Sequence, residues 1–217
     1  MFRNKVVVIT GGALGIGKCI TQEFAKEGAK VAFIDKNQAA GEETKAGILE
    51  NGGDALFFAG DLAFEKTLKD FTKKVIEHYG HIDYLINNAM ITKKGILSGC
   101  GYEDFNEVLR VGITAPYILT KLFLPYFNVG GAVVNISSTR AFQSQKDTES
   151  YTAAKGGITA LTHALAVSLA GKVRVNSVSP GWIDTGSTYD KNYIPKYSEA
   201  DLKQHPSGRV GHTPWIL

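Results

Sequence analysis

TGGALGIG, residues 10–17, stands between a short β-branched run and a longer amphipathic stretch. Glycines in such a turn permit positive φ and let the backbone approach a bound group closely. A helix that starts there presents free N–H groups and the positive end of its dipole to an anion. This strand–turn–helix order predicts a phosphate-binding turn, although its spacing is not the GxGxxG form. The alternative is a turn that needs only flexibility.

Outward from this turn, β-branched runs alternate with amphipathic segments along the whole chain. Strands are predicted at 6–10, 31–34, 55–59, 84–87, 132–136 and 173–178, and helices at 17–27, from Asn37 onward, and at 65–79, 102–109, 115–126 and 151–170. Strands joined by helix-length crossovers predict one α/β domain over residues 1–217, a doubly wound parallel sheet of Rossmann type with helices on both faces. Residues 186–208 are irregular and rich in Tyr, Lys and Ser, which predicts a substrate lid.

Composition excludes several classes of function. The formal net charge of +3 is spread along the chain, which argues against a nucleic-acid partner. Two cysteines outside any CxxC pair and five histidines without ligand spacing argue against a metal site. The chain has no leader-like segment and no apolar run of bilayer length, so we expect a cytoplasmic protein that does not enter a membrane.

Asp35 ends the second predicted strand, eighteen residues after Gly17. A carboxylate at this point accepts hydrogen bonds from an adenosine ribose and repels a 2′-phosphate, which favours NAD over NADP as the cofactor. Lys36 is the counter-argument, because its ammonium group is placed to contact such a phosphate. Leu14, inside the glycine-rich turn, offers no positive charge.

Tyr151 and Lys155 stand at i and i+4 of a predicted helix and therefore share one face. A tyrosine is a poor base at neutral pH, and a neighbouring ammonium favours its phenolate form. Ser138 ends the fifth predicted strand, where its hydroxyl can donate to a substrate oxygen, with Ser137 as the competitor. The set predicts general acid–base chemistry on an alcohol or carbonyl oxygen. The alternative for the Tyr–Lys pair is an ordinary surface pair.

Six ordered motifs give the chain, from Val6 to about Gly211, a resemblance to the short-chain dehydrogenase/reductase family. They are residues 10–17, Gly60-Asp61-Leu62, Asn87-Asn88-Ala89, residues 135–138, Tyr151 with Lys155, and residues 180–185. The resemblance implies an NAD(H)-dependent oxidoreductase that interconverts a secondary alcohol and a carbonyl by hydride transfer. It implies Tyr151 as general acid/base and Lys155 as a ribose ligand, and the thirteen-residue serine-to-tyrosine spacing of the family selects Ser138.

The resemblance also implies where the cofactor lies. Asp61 and Leu62 would flank the adenine, and Ile183 and Thr185 would hold the nicotinamide side. The full set of implied cofactor contacts is Gly11, Leu14, Gly15, Ile16, Gly17, Asp35, Asp61, Leu62, Asn87, Ala89, Tyr151, Lys155, Pro180, Gly181, Ile183 and Thr185. The expected partners are a small-molecule alcohol or ketone and further copies of the chain in a homodimer or homotetramer, because helix 151–170 carries a stripe of small side chains.

Three departures from the family pattern keep other interpretations open. Gly112 stands where the family usually carries an asparagine that holds a relay water. Met90 replaces a usual glycine, so it either crowds the cofactor ribose or reshapes the loop. The C-terminal strand is expected to be missing, which leaves residues 173–178 at the sheet edge. These features favour, as the alternative, a catalytically weak NAD-binding sensor or structural protein. An epimerase or dehydratase that keeps NAD bound is a third, less favoured interpretation.

Overall fold

The computed structural model describes residues 1–212 and contains a central sheet of six parallel strands. They are β1 (Val6–Thr10), β2 (Lys30–Asp35), β3 (Asp54–Ala59), β4 (Ile82–Asn87), β5 (Phe127–Ile136) and β6 (Arg174–Val178). Their order across the sheet is β3-β2-β1-β4-β5-β6. The chain therefore starts in the middle, runs to one edge and returns to the other, and a crevice opens between β1 and β4, where the direction of winding reverses. The predicted doubly wound sheet is confirmed.

Six main helices cover the two faces of this sheet. They are α1 (Gly15–Lys26), α2 (Gln38–Glu50), α3 (Glu65–Tyr79), α4 (Tyr102–Leu109), α5 (Ala115–Phe123) and α6 (Glu149–Ser168). Ile20 and Ile48 are buried in a core on the face of α1 and α2. Phe71, Phe123 and Leu165 are buried in a second core on the face of α3, α5 and α6. Two cores on opposite faces are what strands with nearly continuous apolar sequence require.

Local signals at the helix ends are confirmed. The side chain of Asn37 caps α2 by accepting a hydrogen bond from the N–H of Ala40 at 3.1 Å. Gly80 ends α3 with φ of 77°, a left-handed conformation that glycine adopts without strain. By contrast, α1 begins at Gly15, two residues before the predicted start.

The helices α4 and α5, predicted as separate, are joined by the π-helical turn Arg110–Thr114. The continuous stretch Tyr102–Tyr126 is long and apolar enough to span a bilayer. Its Leu119 and Phe123, however, are fully buried in the protein core, which is typical of the core helix of a globular domain. The π turn carries Gly112 at its centre, and such turns are frequent at functional sites.

Beyond β5, the C-terminal part of the chain adds strand β6, which pairs only with β5 and forms an edge of the sheet within residues 1–212. A separate pair of two-residue strands follows, β7 (Ile183–Asp184) and β8 (Gly211–His212), which run parallel to each other. The predicted lid segment contains two short helices, α7 (Gly186–Tyr189) and α8 (Glu199–Lys203). Because the six strands are parallel, the loops that follow their carboxyl ends all lie at the same edge of the sheet.

Candidate active site

A cavity of about 520 Å³ opens where β1, β2, β3 and β4 end. Nine of the predicted cofactor contacts line it, namely Gly11, Leu14, Gly15, Ile16, Asp35, Asp61, Leu62, Ala89 and Thr185. Its wall also contains eight residues outside that set, namely Lys36, Asn37, Gly60, Asn88, Met90, Ile91, Val111 and Tyr189. The fold thus brings the glycine-rich turn and the ends of three strands around one space.

The glycines of the turn have two different structural roles. A Cβ on Gly17 would lie 1.9 Å from the carbonyl oxygen of Gly11, so Gly17 allows the turn to close on itself. Gly15 has φ of 59°, and a Cβ built there would approach no atom closer than 3.5 Å. Gly15 lines the cavity, with Tyr189 and Thr185 at contact distance from its Cβ position, whereas Gly17 does not line the cavity. The absent side chain at Gly15 provides the close backbone approach that a diphosphate needs.

Both carboxylate oxygens of Asp35 are oriented by backbone donors. One oxygen accepts a hydrogen bond from the N–H of Ala13 at 3.1 Å, and the other accepts from the N–H of Asn37 at 3.0 Å. Asp35 therefore links the glycine-rich turn to the start of α2. Asp35 lines the cavity, and the two backbone donors fix the orientation of its carboxylate.

Asn88 was not among the predicted site residues, and its hydrogen bonds hold the glycine-rich turn in place. Its side-chain amide donates to the carbonyl oxygens of Thr10 at 3.0 Å and Gly11 at 3.2 Å. In return, the hydroxyl of Thr10 accepts hydrogen bonds from the N–H groups of Asn88 and Ala89, both at 3.0 Å. The adjacency of β1 and β4 in a doubly wound sheet was the signal that could have revealed this pairing.

Asn87, predicted to contact the cofactor, lies buried behind the cavity and outside its lining. Its amide donates to Asn135 Oδ1 at 2.8 Å, and Asn135 donates in turn to the hydroxyl of Thr162 at 2.9 Å. This chain of hydrogen bonds connects β4, β5 and α6. Within residues 1–212, Asn87 Oδ1 has no hydrogen-bond partner.

The two neighbouring serines after β5 differ in their hydrogen bonds. The buried Ser137 hydroxyl is bonded to the carbonyl oxygen of Lys155 at 3.1 Å and to the hydroxyl of Thr159 at 2.7 Å. The Ser138 hydroxyl accepts from the N–H of Arg140 at 3.1 Å, and it donates to no group within residues 1–212. Ser138 therefore retains a proton for a further hydrogen bond, whereas Ser137 fastens β5 to α6.

Lys155 is buried beside the end of β5. Its Nζ donates to the carbonyl oxygen of Ile136 at 2.7 Å and lies 5.6 Å from the centroid of the Tyr151 ring. Burial lowers the pKa of Lys155 to about 8, because the charged ammonium loses its hydration. The helix α6 also packs against the short turn Thr139–Ala141 that follows Ser138. The structure thus brings Ser138, Tyr151 and Lys155 to one end of β5.

Three predicted contacts lie outside the cavity lining: Pro180 and Gly181, in the loop after β6, and Ile183, on β7. The carbonyl oxygen of Pro180 accepts a hydrogen bond from the N–H of Thr139 at 3.0 Å, which anchors this loop next to Ser138. Gly181 packs near the ring of His205. Of the predicted contacts from Pro180 to Thr185, Thr185 is the one that lines the cavity.

None of the three catalytic candidates lines the cavity, but a path of contacts joins it to the helix that carries Tyr151 and Lys155. Met90 lines the cavity and packs against Gly112. Gly112 also lies against Ala154, the neighbour of Lys155 on α6. The Met90 side of the cavity is therefore connected through Gly112 to α6.

A Rossmann-type sheet with a glycine-rich turn at its crevice and a Ser–Tyr–Lys set at the end of β5 defines a class of oxidoreductases. The chain belongs to the short-chain dehydrogenase/reductase family: the family model for short chain dehydrogenase matches residues 5–193. It is 42% identical over 217 residues to an uncharacterized oxidoreductase of Thermotoga maritima, covering 98% of this chain and 85% of the relative.

Solved structures agree with this assignment. The chain resembles an apo SCOR enzyme from Clostridium thermocellum, with a TM-score of 0.85 and 41% identity over 97% of this chain and 81% of that one. It also resembles a short chain dehydrogenase from Burkholderia cenocepacia J2315 in complex with NADP, with a TM-score of 0.90 and 26% identity over 99% of this chain and 88% of the other. The family uses nicotinamide cofactors, and the preference of this chain for NAD stays a prediction.

Proposed function

We propose that this chain is an NAD(H)-dependent oxidoreductase that interconverts a secondary alcohol and a carbonyl compound, with Tyr151 as the general acid/base. The observation that carries the proposal is the buried Lys155 ammonium 5.6 Å from the Tyr151 ring, together with a Ser138 hydroxyl that donates to no group within residues 1–212. A buried cation without a carboxylate partner is costly to maintain. Its position beside a tyrosine is therefore consistent with a role in catalysis rather than in stability.

The residues around the cavity fit a dinucleotide. The backbone of Gly15 and the start of α1 suit a diphosphate, since N–H groups that have no partner within the helix and the helix dipole favour an anion there. The oriented carboxylate of Asp35 suits the two hydroxyls of an adenosine ribose and disfavours a 2′-phosphate. Lys36 also lines the cavity and is the residue that opposes this preference.

The proposed chemistry assigns one task to each side chain. When bound, the nicotinamide ring accepts or supplies the hydride. Ser138 donates a hydrogen bond to the substrate oxygen. Tyr151 removes the proton from the substrate hydroxyl during oxidation and returns it to the carbonyl oxygen during reduction. The Lys155 ammonium places a positive charge 5.6 Å from the centroid of the Tyr151 ring.

A catalytically weak NAD-binding sensor is the second candidate, and one observation favours it. The space in front of Gly112 is filled by the apolar thioether of Met90. At this point beside α6 the chain therefore offers no polar side chain to a proton path. A sensor would bind the dinucleotide without turning over a substrate.

Tyr151→Phe tests the proposal, with Tyr126→Phe as the control because Tyr126 lies at the opposite end of β5. NADH binding is measured by fluorescence, and turnover is measured on a panel of small alcohols and ketones. We expect Tyr151→Phe to lose about 100-fold or more in kcat, with NADH affinity nearly unchanged. Unchanged turnover in Tyr151→Phe would remove this residue from the mechanism. Wild-type binding of NADH without turnover of any panel member would favour the sensor.

The exposed side of α6 extends the proposal to a homo-oligomer. Ala153, Ala160 and Ala164 lie on this side and leave a shallow, small-sided surface against which a second copy can pack closely. Light scattering of the purified protein measures the assembly, and Ala160→Glu is expected to shift it toward the monomer. A wild-type monomer at all concentrations would contradict this part of the proposal.

A further inference from the structure

The hydroxyl of Thr188 joins two segments that lie 173 residues apart. Thr188, on α7, accepts a hydrogen bond from the N–H of Gly15 at 2.8 Å. The same hydroxyl donates its proton to the carbonyl oxygen of Thr185 at 2.8 Å. Both contacts are short, so the oxygen is held in a fixed position over the glycine-rich turn.

The N–H of Gly15 is one of the donors at the start of α1 that have no partner within the helix. Leu14, at the N-cap, provides no side-chain acceptor, and the first turn of α1 contains no acidic residue. Thr188 therefore supplies from a distance the acceptor that the local sequence lacks. This donor lies in the cavity lining, at the place where an anion would be most stabilised.

Two neighbours of Thr188 also contact the parts of the chain around the cavity: one contacts the glycine-rich turn, and the other contacts α2. Tyr189 lines the cavity, and its hydroxyl lies 3.5 Å from the position of a Cβ on Gly15. Lys191 forms an ion pair with Glu43 of α2 at 3.1 Å. Both of these charged groups are exposed, so the ion pair contributes little to stability. The segment 186–191 thus bridges the end of β7, the glycine-rich turn and α2.

We propose that Thr188 is a latch, a neutral acceptor that occupies the Gly15 N–H and must leave before the diphosphate of a dinucleotide can bind there. The inference rests on the proposed function, because it needs a diphosphate-bearing cofactor. A hydrogen bond to an anion is roughly twice as strong as one to a neutral hydroxyl. A diphosphate therefore displaces Thr188, whereas water does not. Binding of the cofactor is in this way coupled to release of α7, the first element of the lid segment.

The test uses the full chain with Thr188→Val, which keeps the shape of the side chain but removes its acceptor. Thr188→Ser keeps the acceptor, and Ser187→Ala alters an exposed neighbour on the same helix. The probes are ADP-ribose, which carries a diphosphate, and adenosine, which does not. We expect Thr188→Val to bind ADP-ribose about fivefold more tightly than the wild type. Adenosine affinity should be the same in all four proteins, and Thr188→Ser and Ser187→Ala should match the wild type.

Amide hydrogen exchange at Gly15, followed by NMR, reports on the contact without any nucleotide. We expect faster exchange of this amide in Thr188→Val and wild-type exchange in Thr188→Ser. Equal or weaker ADP-ribose binding by Thr188→Val, with binding otherwise intact, would overturn the latch and leave the proposed function standing. If none of the proteins binds ADP-ribose, the proposed function itself fails, and the competitive role of Thr188 fails with it, even if the exchange at Gly15 changes as expected.

Discussion

Met90 and Gly112 are packed directly against each other: a Cβ on Gly112 would lie 2.9 Å from the sulfur of Met90. It would lie equally close, at 2.9 Å, to the Cβ of Ala154 on α6. The two departures from the family pattern are therefore one packing unit, since the glycine leaves the space that the thioether fills. Met90 therefore both lines the cavity and contacts Gly112.

This relationship predicts that the effects of substitutions at the two positions are coupled. Gly112→Ala should lower the free energy of unfolding by about 1–3 kcal/mol, because the added methyl group overpacks a filled site. Met90→Ala should remove part of this penalty, so that the double variant is more stable than the sum of the single effects predicts. Urea unfolding of the four proteins measures the coupling.

Gly47→Ala is the matched control for this cycle. Gly47 lies inside α2, and a Cβ there would meet no atom within 4 Å. Alanine at this position should raise stability by up to about 1 kcal/mol, because it is the better helix former. If Gly112→Ala is as harmless as Gly47→Ala, or if the two effects at 90 and 112 simply add, the packing relationship is not the one described.

Burial of Lys155 predicts a rise in stability at alkaline pH. Its pKa falls from 10.5 to about 8 on folding, so below pH 8 the folded protein carries the cost of a buried ammonium. Above pH 8 the folded protein sheds this proton, while the unfolded chain keeps it up to about pH 10.5. The contribution of Lys155 to stability therefore improves across this window, by about 3 kcal/mol at most.

The comparison of wild type with Lys155→Met isolates this group, because every other titrating residue is shared. Urea unfolding between pH 7 and pH 10 is expected to show Lys155→Met as the more stable protein at pH 7, with the difference shrinking as the pH rises. Parallel stability curves for the two proteins would mean that the Lys155 pKa is not lowered by folding.

The orientation of Asp35 predicts its effect on cofactor choice. Asp35→Asn removes the negative charge but keeps an oxygen that can accept one of the two backbone hydrogen bonds. The ratio of NADPH to NADH affinity should rise about fivefold to tenfold, because the carboxylate no longer repels a 2′-phosphate. Fluorescence titration with both nucleotides measures the ratio. Glu50→Gln, an equal charge change on the exposed surface of α2, should leave it unchanged, and an unchanged ratio in Asp35→Asn would show that this residue does not select the cofactor.

The two serines after β5 are expected to respond in opposite ways to alanine. Ser137→Ala should lower the free energy of unfolding by about 1–2 kcal/mol, because it removes two hydrogen bonds between the end of β5 and α6. Ser138→Ala should lower kcat by about 100-fold on whichever panel member is turned over, with stability nearly unchanged. Measurements of turnover and urea unfolding on both variants distinguish the stabilising role of Ser137 from the catalytic role of Ser138. A loss of kcat in Ser137→Ala alone would exchange the proposed roles.

Much of the secondary structure followed from short-range pattern. The β-branched runs predicted five strands to within two residues at each end, whereas β5 begins at Phe127, five residues before its predicted start. Asn37 and Gly80 marked helix ends because capping depends on neighbouring backbone groups. Among the helices, the joined α4 and α5 differ because Pro116 sits in the first turn after a π-helical segment rather than at a true helix start. A proline tolerated at either position gives no signal to separate them.

Site residues were predictable to the extent that their role depends on nearby sequence. The glycine-rich turn at residues 10–17 belongs to this group, as does the i, i+4 relation of Tyr151 to Lys155. Asn87 and Asn88 do not, because which of two adjacent asparagines faces the cavity depends on how the end of β4 meets β1 and β5. Asn135 on β5 accepts a hydrogen bond from Asn87, and this contact likewise depends on how β4 pairs with β5.

Local sequence alone was sufficient to define an alternating α/β chain, the turn at residues 10–17 and the order of the family motifs, because periodicity and turn chemistry act over a few residues. Only the folded chain brings Thr188 to Gly15 and Met90 to Gly112. These contacts join residues that the crossovers of the sheet carry together from distant parts of the chain. Their energies depend on distances of a few tenths of an ångström, which no local pattern encodes.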